Sequence, residues 1–579
     1  MTTNLTIKTE RVDDIPVLLA QAEKIDVAEL LDRYFVPHGN WQGTSLGWTA
    51  TVWLTHVLSE GDHRLSHAQA WVAQRLHTLR TCTDQPLREL EWSDDRLGII
   101  LDALSEDGSW QEFEQALNRH TVRVYKLKPK QVRVDSTTAS GYWTVSEEGL
   151  FQYGHSKDHR PDLPQVKVML SAVDPLGMPI VTQVVSGERA DDPLYVPAIR
   201  QVQKSLDEHG LLYVGDCKMA ALGTRAFIQA HEDYYLCPLS AKQMPPEVLD
   251  SYLKPVWDGE QQTQAVYRAD AEGQPQQIAE GYERQVALQA TCDGQDVAWT
   301  ERHLVIRSLQ YARASEQALH TRLAKAQAEV EQLNERKQGK RRIEDRDEMR
   351  AAVMAIFKRH RVEGLVNVSV EEQIRERPVR AYGECPARVE TERELSVQSE
   401  KDEEAVKETV RRFGWRVYAT NQPEEMLSLE QAVLAYRAEY LVERGFGRLK
   451  GRPLSLTPMY LQSDARATGL IRLLSIGLRL LTLLEYKVRE QLAAEEEKLA
   501  GLYAGNPKRA TARPTAEAML KAFKGIDLSV VTMDQQTLYH VTPLSALHQR
   551  ILSLLDFPAQ IYTRLVDQFP KSARRMTEP

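Results

Sequence analysis

Cysteine is scarce in this chain. The five present (Cys82, Cys217, Cys237, Cys292 and Cys385) are scattered through 579 residues and form no CxxC pair. That spacing excludes a disulfide framework and a Cys/His zinc site, and it fits a reducing compartment. A signal-peptide core is missing as well, since residues 1–10 are polar. Nor is there a charge-free apolar run of the ~20 residues that a bilayer requires. The nearest approach, residues 469–484, is interrupted by Arg472 and Arg479, so a buried core helix is expected there. An excess of positive charge is also lacking. The net charge is −9, which argues against a protein that coats polyanions over its whole surface. Residues 1–120 hold ten Lys/Arg against nineteen Asp/Glu, and the remainder is balanced. Any polyanion site must therefore be a local patch.

What is present is length and alternating order. At 579 residues with 42% hydrophobic content, the chain suggests three or four units, or one large core with insertions. Residues 1–120 read as an all-helical N-terminal domain, for dimerisation or end binding, with helices over 14–25, 27–35, 44–58, 66–79, 94–104 and 109–120. Asp14, Ser66 and Ser109 supply plausible starts. Strand patterns follow at 131–134, 165–173, 178–185 and 211–214. A turn signal, Asp174-Pro-Leu-Gly177, joins the second and third, and a helix over 196–206 precedes the fourth. A helix at 222–231 and a strand at 234–239 continue the alternation. This predicts an α/β core over 121–239 that resumes over 419–500, around a β-rich then helical insertion at 240–418, with a helical C-terminal region over 501–579.

Three acidic residues stand out. Asp135 is expected at the end of the first strand, followed by the polar Ser-Thr-Thr run, and Asp216 at the end of the fourth. A carboxylate at a strand end can hold a metal ion; it also ends many ordinary strands. A helix over 429–449 carries Tyr436, Glu443 and Lys450 seven residues apart, hence on one stripe, with Arg444, Arg448 and Arg452 nearby. A mixed-charge surface helix gives the same pattern. One carboxylate among basic residues is also what a metal-dependent phosphate site needs. The charged block 335–342 is more often a solvated helix end than a phosphate contact. His155 and His159 have i, i+4 spacing, but Pro161 argues against a helix there, and Lys157 and Arg160 read better as phosphate contacts. Lys218 is either exposed or a DNA contact, and Cys217 reads as a small buried neighbour of the site.

Taken together, the stretches around Asp135, Gly154-His-Ser-Lys157-Asp-His-Arg160-Pro-Asp162-Leu-Pro-Gln165, Val-Gly-Asp216-Cys-Lys-Met-Ala and Tyr436 to Lys450 resemble the IS4-type DDE transposases, nearest to their IS1634-like group. The family pattern on the last helix is Y-x2-R-x3-E-x6-K. Tyr436, Glu443 and Lys450 fit it, while Glu439 stands at the arginine position. The resemblance implies a ribonuclease-H-like mixed sheet with flanking helices, in which Asp135, Asp216 and Glu443 act as catalytic metal ligands. The implied cofactor is two Mg²⁺ ions, with Mn²⁺ as a substitute. Lys157, Arg160, Tyr436, Arg444, Arg448 and Lys450 would bind DNA. The implied activity is cleavage at inverted-repeat ends and joining of the 3′ hydroxyls to target DNA, by a homodimer on double-stranded DNA in the cytoplasm, at the nucleoid when bound. Trp257 and Trp299 are candidates for stacking on a flipped base, although a packed tryptophan is the commoner role. A catalytically silent DNA-binding derivative and a plain metal nuclease are the alternatives.

Overall fold

In the computed structural model the described residues are 5–566, apart from 38, 271–272, 336–342, 381–387 and 534–535. They form two compact units. The first comprises residues 1–237, 288–299 and 435–579; the second, 238–287 and 300–434. The second unit thus begins two residues before the expected insertion and extends to Leu434, so the strand at 415–420 groups with it and not with the core.

The first unit opens with strand β1 (Leu5–Arg11), then helices α1 (Ile15–Lys24), α2 (Val27–Tyr34), α3 (Leu46–Glu60), α4 (Leu65–Ala73), α5 (Leu76–Thr83), α6 (Asp94–Leu104) and α7 (Asp107–Tyr125). Pro16 starts α1, where the N–H that proline lacks has no intrahelical partner anyway. The Ser45 hydroxyl accepts a bond from the Trp48 N–H and so caps α3. The helix expected over 66–79 is two helices. Arg75 leaves the helical backbone (φ −132°), and its guanidinium turns back to the Trp71 carbonyl and to Glu60, each at 3.3 Å.

The sheet that positions the site follows. Strands β2 (Gln131–Ser140), β3 (Gln165–Val173) and β4 (Met178–Ser186) run antiparallel. Helix α8 (Tyr195–Leu206) then returns the chain to β5 (Leu212–Gly215), which lies parallel to β2, and α9 (Leu222–Ala230) leads to β6 (Tyr234–Pro238), parallel to β5. The order in this unit is β4-β3-β2-β5-β6. The first and fourth strands of the sequence reading are therefore neighbours. β3 is buried along its whole length, as expected of an inner strand covered on both faces. One expectation needs correction. Asp135 does not end its strand: β2 continues to Ser140, because the antiparallel ladder with β3 extends past Asp135 through the hydroxyl-rich run, where β-branched threonine suits a pleated, half-buried surface.

The second unit contains α10 (Pro246–Trp257), where only β-leaning pieces were expected, and strands β7 (Gln264–Ala269), β8 (Pro275–Cys292) and β9 (Gln295–Ser308), whose shared tip, Leu288–Trp299, groups with the first unit. Helices α11 (Leu309–Glu331) and α12 (Arg346–His360) share an apolar core with the hairpin of β10 (Val366–Val379) and β11 (Arg388–Lys401). After α13 (Glu403–Val410), β12 (Trp415–Thr420) pairs antiparallel with β9. Of the basic block at 335–342, all but Glu335 lies outside the described residues, as do Cys385 and the basic tail at 571–575.

The helix expected over 429–449 is also two helices, α14 (Leu429–Arg437) and α15 (Tyr440–Lys450), with Ala438 and Glu439 in a turn between them. Helix α16 (Asp464–Ala494), capped by Ser463, is the apolar segment of the sequence reading. It passes a length-and-hydropathy test for a membrane span, yet 94% of its apolar window is buried within the protein. Packed against it are α3, α6, α15 and β4. Its interrupting arginines meet groups of the helical domain: Arg472 donates to the Leu104 carbonyl (2.9 Å) and pairs with Asp107, and the Glu114 charge acts on Arg479. The C-terminal region is not purely helical. Strands β13 (Asp527–Met533) and β14 (Gln536–Val541) join β1 in a three-stranded antiparallel sheet.

Candidate active site

The parallel ladder between β2 and β5 ends at the pairing of Val134 with Gly215. The next residue on each strand is an aspartate, Asp135 and Asp216. Neighbouring strands lie about 4.8 Å apart, so the two carboxylates stand side by side just past the end of the β2–β5 ladder. With Tyr436, Glu439, Val442 and Arg133 they line one narrow cleft. Its volume of about 10 Å³ is close to that of a single water.

Each aspartate is held by a set of donors. Asp216 Oδ1 accepts from the Tyr195 hydroxyl at 2.6 Å and from the Lys218 N–H at 2.8 Å. Asp135 Oδ1 accepts from the Ser136 N–H at 2.7 Å, and the Lys157 ammonium lies 3.4 Å away. Lys157 is fixed by the Ser136 carbonyl (2.6 Å) and hydroxyl (2.9 Å). Asp191 completes this arrangement, accepting from Ser136 Oγ at 3.0 Å and from Lys167 at 2.7 Å. Burial pushes the Asp135 carboxyl up to about 6, Lys157 opposes the rise, and the Asp216 charge adds to it. Asp191 goes the other way: burial would raise it, but the Lys167 bond and the Lys157 charge outweigh that. The Tyr195 phenol is pushed up by its full burial and by the Asp216 and Asp135 charges, so it stays a donor.

The segment carrying the third expected carboxylate arrives from α15. Glu443 lies in its first turn and is exposed. Glu439, one turn earlier, is half-buried and lines the cleft. Burial raises its carboxyl, and the charges of Asp135, Glu443 and Asp216 raise it further, in that order. The charges of three carboxylates therefore act on Glu439, and that of Asp216 on Asp135. Among the described residues no three His, Cys, Asp or Glu side chains grip a common point as they stand. The donor chemistry nonetheless suits a hard cation: the groups are oxygen donors, and Asp135 already has an ammonium beside it.

The expected DNA-contacting residues divide. Tyr436 lines the cleft. Lys157 is a third exposed but turned onto Asp135. Lys450 is ion-paired with Asp158 at 2.5 Å, and the exposed Arg160 holds Asp162 through bonds of 2.8 and 2.7 Å. Arg448 requires correction. It is buried, pairs with Glu485, and reaches Glu517 at 2.6 Å, so its guanidinium is an internal strut and not a surface contact. Arg444 pairs with the same Glu485, which also meets Arg489 at 3.0 Å and the Ala516 N–H at 2.9 Å. The glutamate is buried, and a buried charge has to be paired.

His155 and His159 are exposed in a loop, with His159 at φ 57°, so they share no helical face. Lys218 is exposed, 3.7 Å from Asp192, and burial raises the half-buried Cys217 thiol. Trp299 is buried and donates to the Tyr235 hydroxyl at 2.9 Å, the packed role. Trp257 carries the Arg411 guanidinium 3.9 Å over its ring. Sequence reasoning missed Tyr195, Asp158 and Asp191 as site residues, although Asp158 lies within the 154–165 stretch that it had singled out.

The family model of the transposase DDE domain matches residues 127–480, which run from just before β2 into α16. No curated protein matches the chain. Among solved structures it is similar to a piggyBac transposase synaptic complex with hairpin DNA, at 7% identity and a TM-score of 0.33, over 97% of this chain and 82% of that one.

Proposed function

The chain belongs to the transposase DDE domain family, and from that premise we propose that it is a cut-and-paste enzyme of the IS4-type, IS1634-like group. It cleaves DNA at the inverted-repeat ends of an insertion sequence and joins the 3′ hydroxyls to target DNA. The observation that carries this reading is the emergence of Asp135 and Asp216 from adjacent parallel strands into one cleft, faced by the acidic start of α15. The order β4-β3-β2-β5-β6 supports a ribonuclease-H-like core.

Asp135, Asp216 and Glu443 would hold two Mg²⁺ ions, for which Mn²⁺ could substitute, and bound ions would supply positive charge to the attacking and leaving oxygens of the phosphodiester. The chain's own groups do the positioning. Tyr195 and the Lys218 N–H fix one oxygen of Asp216, leaving the other free to ligate. Lys157 balances the Asp135 charge from 3.4 Å and would offer its ammonium to a phosphate oxygen. Tyr436, which lines the cleft, would lie against the sugar–phosphate backbone, with Arg160, Arg444 and Lys450 as further backbone contacts. Water attacks first and the freed 3′ hydroxyl second, so no covalent protein intermediate forms. Two copies on double-stranded DNA bring two ends together, at the nucleoid in the cytoplasm.

Incubating the full chain with Mg²⁺, linear DNA ending in the element's inverted repeats, and a supercoiled plasmid tests this reading. Recovery of end-joined plasmid supports it. Cleavage without joining reduces the protein to a nuclease, and binding without cleavage to a silent derivative.

A further inference from the structure

Glu439 occupies the place where the sequence pattern has an arginine, and the structure gives it surroundings that a surface residue would not have. We propose that Glu439 is a cation ligand of the active site, acting with Asp135 and Asp216 on the same divalent ion. The inference rests on the metal-dependent reading above.

Position comes first. The break between α14 and α15 falls at Ala438 and Glu439, and it turns the Glu439 side chain into the cleft that Asp135 and Asp216 line. Glu443, exposed one turn further on, is not among the residues lining that cleft. Of the two α15 carboxylates, Glu439 is therefore the one that shares walls with the aspartates.

Two ordinary roles for such a glutamate do not fit. As the residue preceding α15 it could cap the helix, but its side chain makes no capping bond. It could instead neutralise Arg133, the cation that lines the same cleft. That guanidinium is already committed, with Nε 2.7 Å from Asp174 and another nitrogen bonded to the Ala435 carbonyl. Glu439 faces negative charge from Asp135, Glu443 and Asp216, and the Arg133 charge offsets only part of it. Three carboxylates around a space the size of one water are mutually repulsive when ionised, and a divalent cation reverses that sign. The excess demand is for positive charge, and Lys157, 3.4 Å from Asp135, and Arg133 meet only part of it.

The test uses full-length protein with Mn²⁺ as the probe, followed by electron paramagnetic resonance of free Mn²⁺ and by thermal unfolding with and without the ion. Wild type is compared with Glu439→Gln, Glu439→Asp and Asp216→Asn. We expect Glu439→Gln to weaken Mn²⁺ binding by about tenfold or more and to lose the Mn²⁺-induced rise in Tm, while its metal-free Tm stays at or above the wild-type value because a repulsion has been removed. Glu439→Asp, which keeps the carboxylate, should recover part of the binding. Wild-type Mn²⁺ binding by Glu439→Gln alongside weakened binding by Asp216→Asn would overturn the role of Glu439 and leave the metal-dependent reading standing. Unchanged binding in every variant would overturn both. A fall in metal-free Tm with Mn²⁺ affinity preserved would make Glu439 a structural residue and would equally overturn the inference.

Discussion

The Tyr195 hydroxyl meets Asp216 Oδ1 at 2.6 Å, joining the first turn of α8 to the residue that follows β5. The phenol is fully buried, and its partner stands at the mouth of the cleft. A buried tyrosine thus sets the direction of a carboxylate that is among the proposed metal ligands.

Tyr195→Phe keeps the buried ring and removes only that bond. Hydrogen bonds to charged groups are worth about 1.5–3 kcal/mol, and Lys218 N–H still holds the same oxygen, so the lower end applies. End cleavage should slow by roughly tenfold with DNA affinity unchanged. Equal single-turnover rates for the two proteins would show that Asp216 needs no such support.

Asp135 gives a pH dependence of definite sign. Burial pushes its carboxyl up to about 6 in the folded chain, from an ordinary value of 3.8, so the folded state binds the proton more tightly. Its contribution therefore favours folding at low pH and is lost as pH rises from about 4 through 6. Metal-free Asp135→Asn should match wild type near pH 4 and exceed it at pH 8 by up to about 3 kcal/mol, at about 1.36 kcal/mol per pH unit. Denaturant unfolding at the two pH values measures this, and an Asn variant less stable at pH 8 would contradict it.

Lys450 and Asp158 form a partly buried pair at 2.5 Å. If Lys450 turns to DNA, Asp158 competes with phosphate for it. Asp158→Asn should then tighten DNA binding and steepen the salt dependence of log affinity by about one. Titration at several salt concentrations decides this; an unchanged slope would mean that Lys450 stays inside the protein.

Arg448→Met should act through stability, in contrast to its expected surface role. Removing one partner from a buried ion pair costs about 3–5 kcal/mol, and because Arg444 and Arg489 remain on Glu485 the lower figure applies. The folded protein should bind DNA as wild type does. Unchanged Tm with weakened binding would restore the phosphate-contact reading.

What could be read from the sequence was local. Val132 and Val134 alternate, Asp216 directly follows a short apolar strand, and the arginines within α16 argue for protein rather than lipid around it. What could not be read depends on partners brought from elsewhere. Asp158 acquires its meaning from Lys450, 292 residues on, and Arg448 is buried only because Glu485 and Glu517 come to it. The N-terminal strand pairs with Asp527–Met533, across almost the whole chain. The break at Glu439 has no glycine or proline to announce it. It matters most for the site, since it decides which α15 carboxylate faces the aspartates.

The central claim is that Asp135 and Asp216 work on one phosphodiester through a shared cation. Its most direct test is single-turnover cleavage of inverted-repeat DNA over a range of Mg²⁺ concentrations, comparing wild type with Asp216→Asn and Asp135→Asn. The account predicts Mg²⁺-dependent cleavage by wild type and its loss in both variants, with DNA binding retained. Cleavage by either variant at the wild-type rate would contradict it.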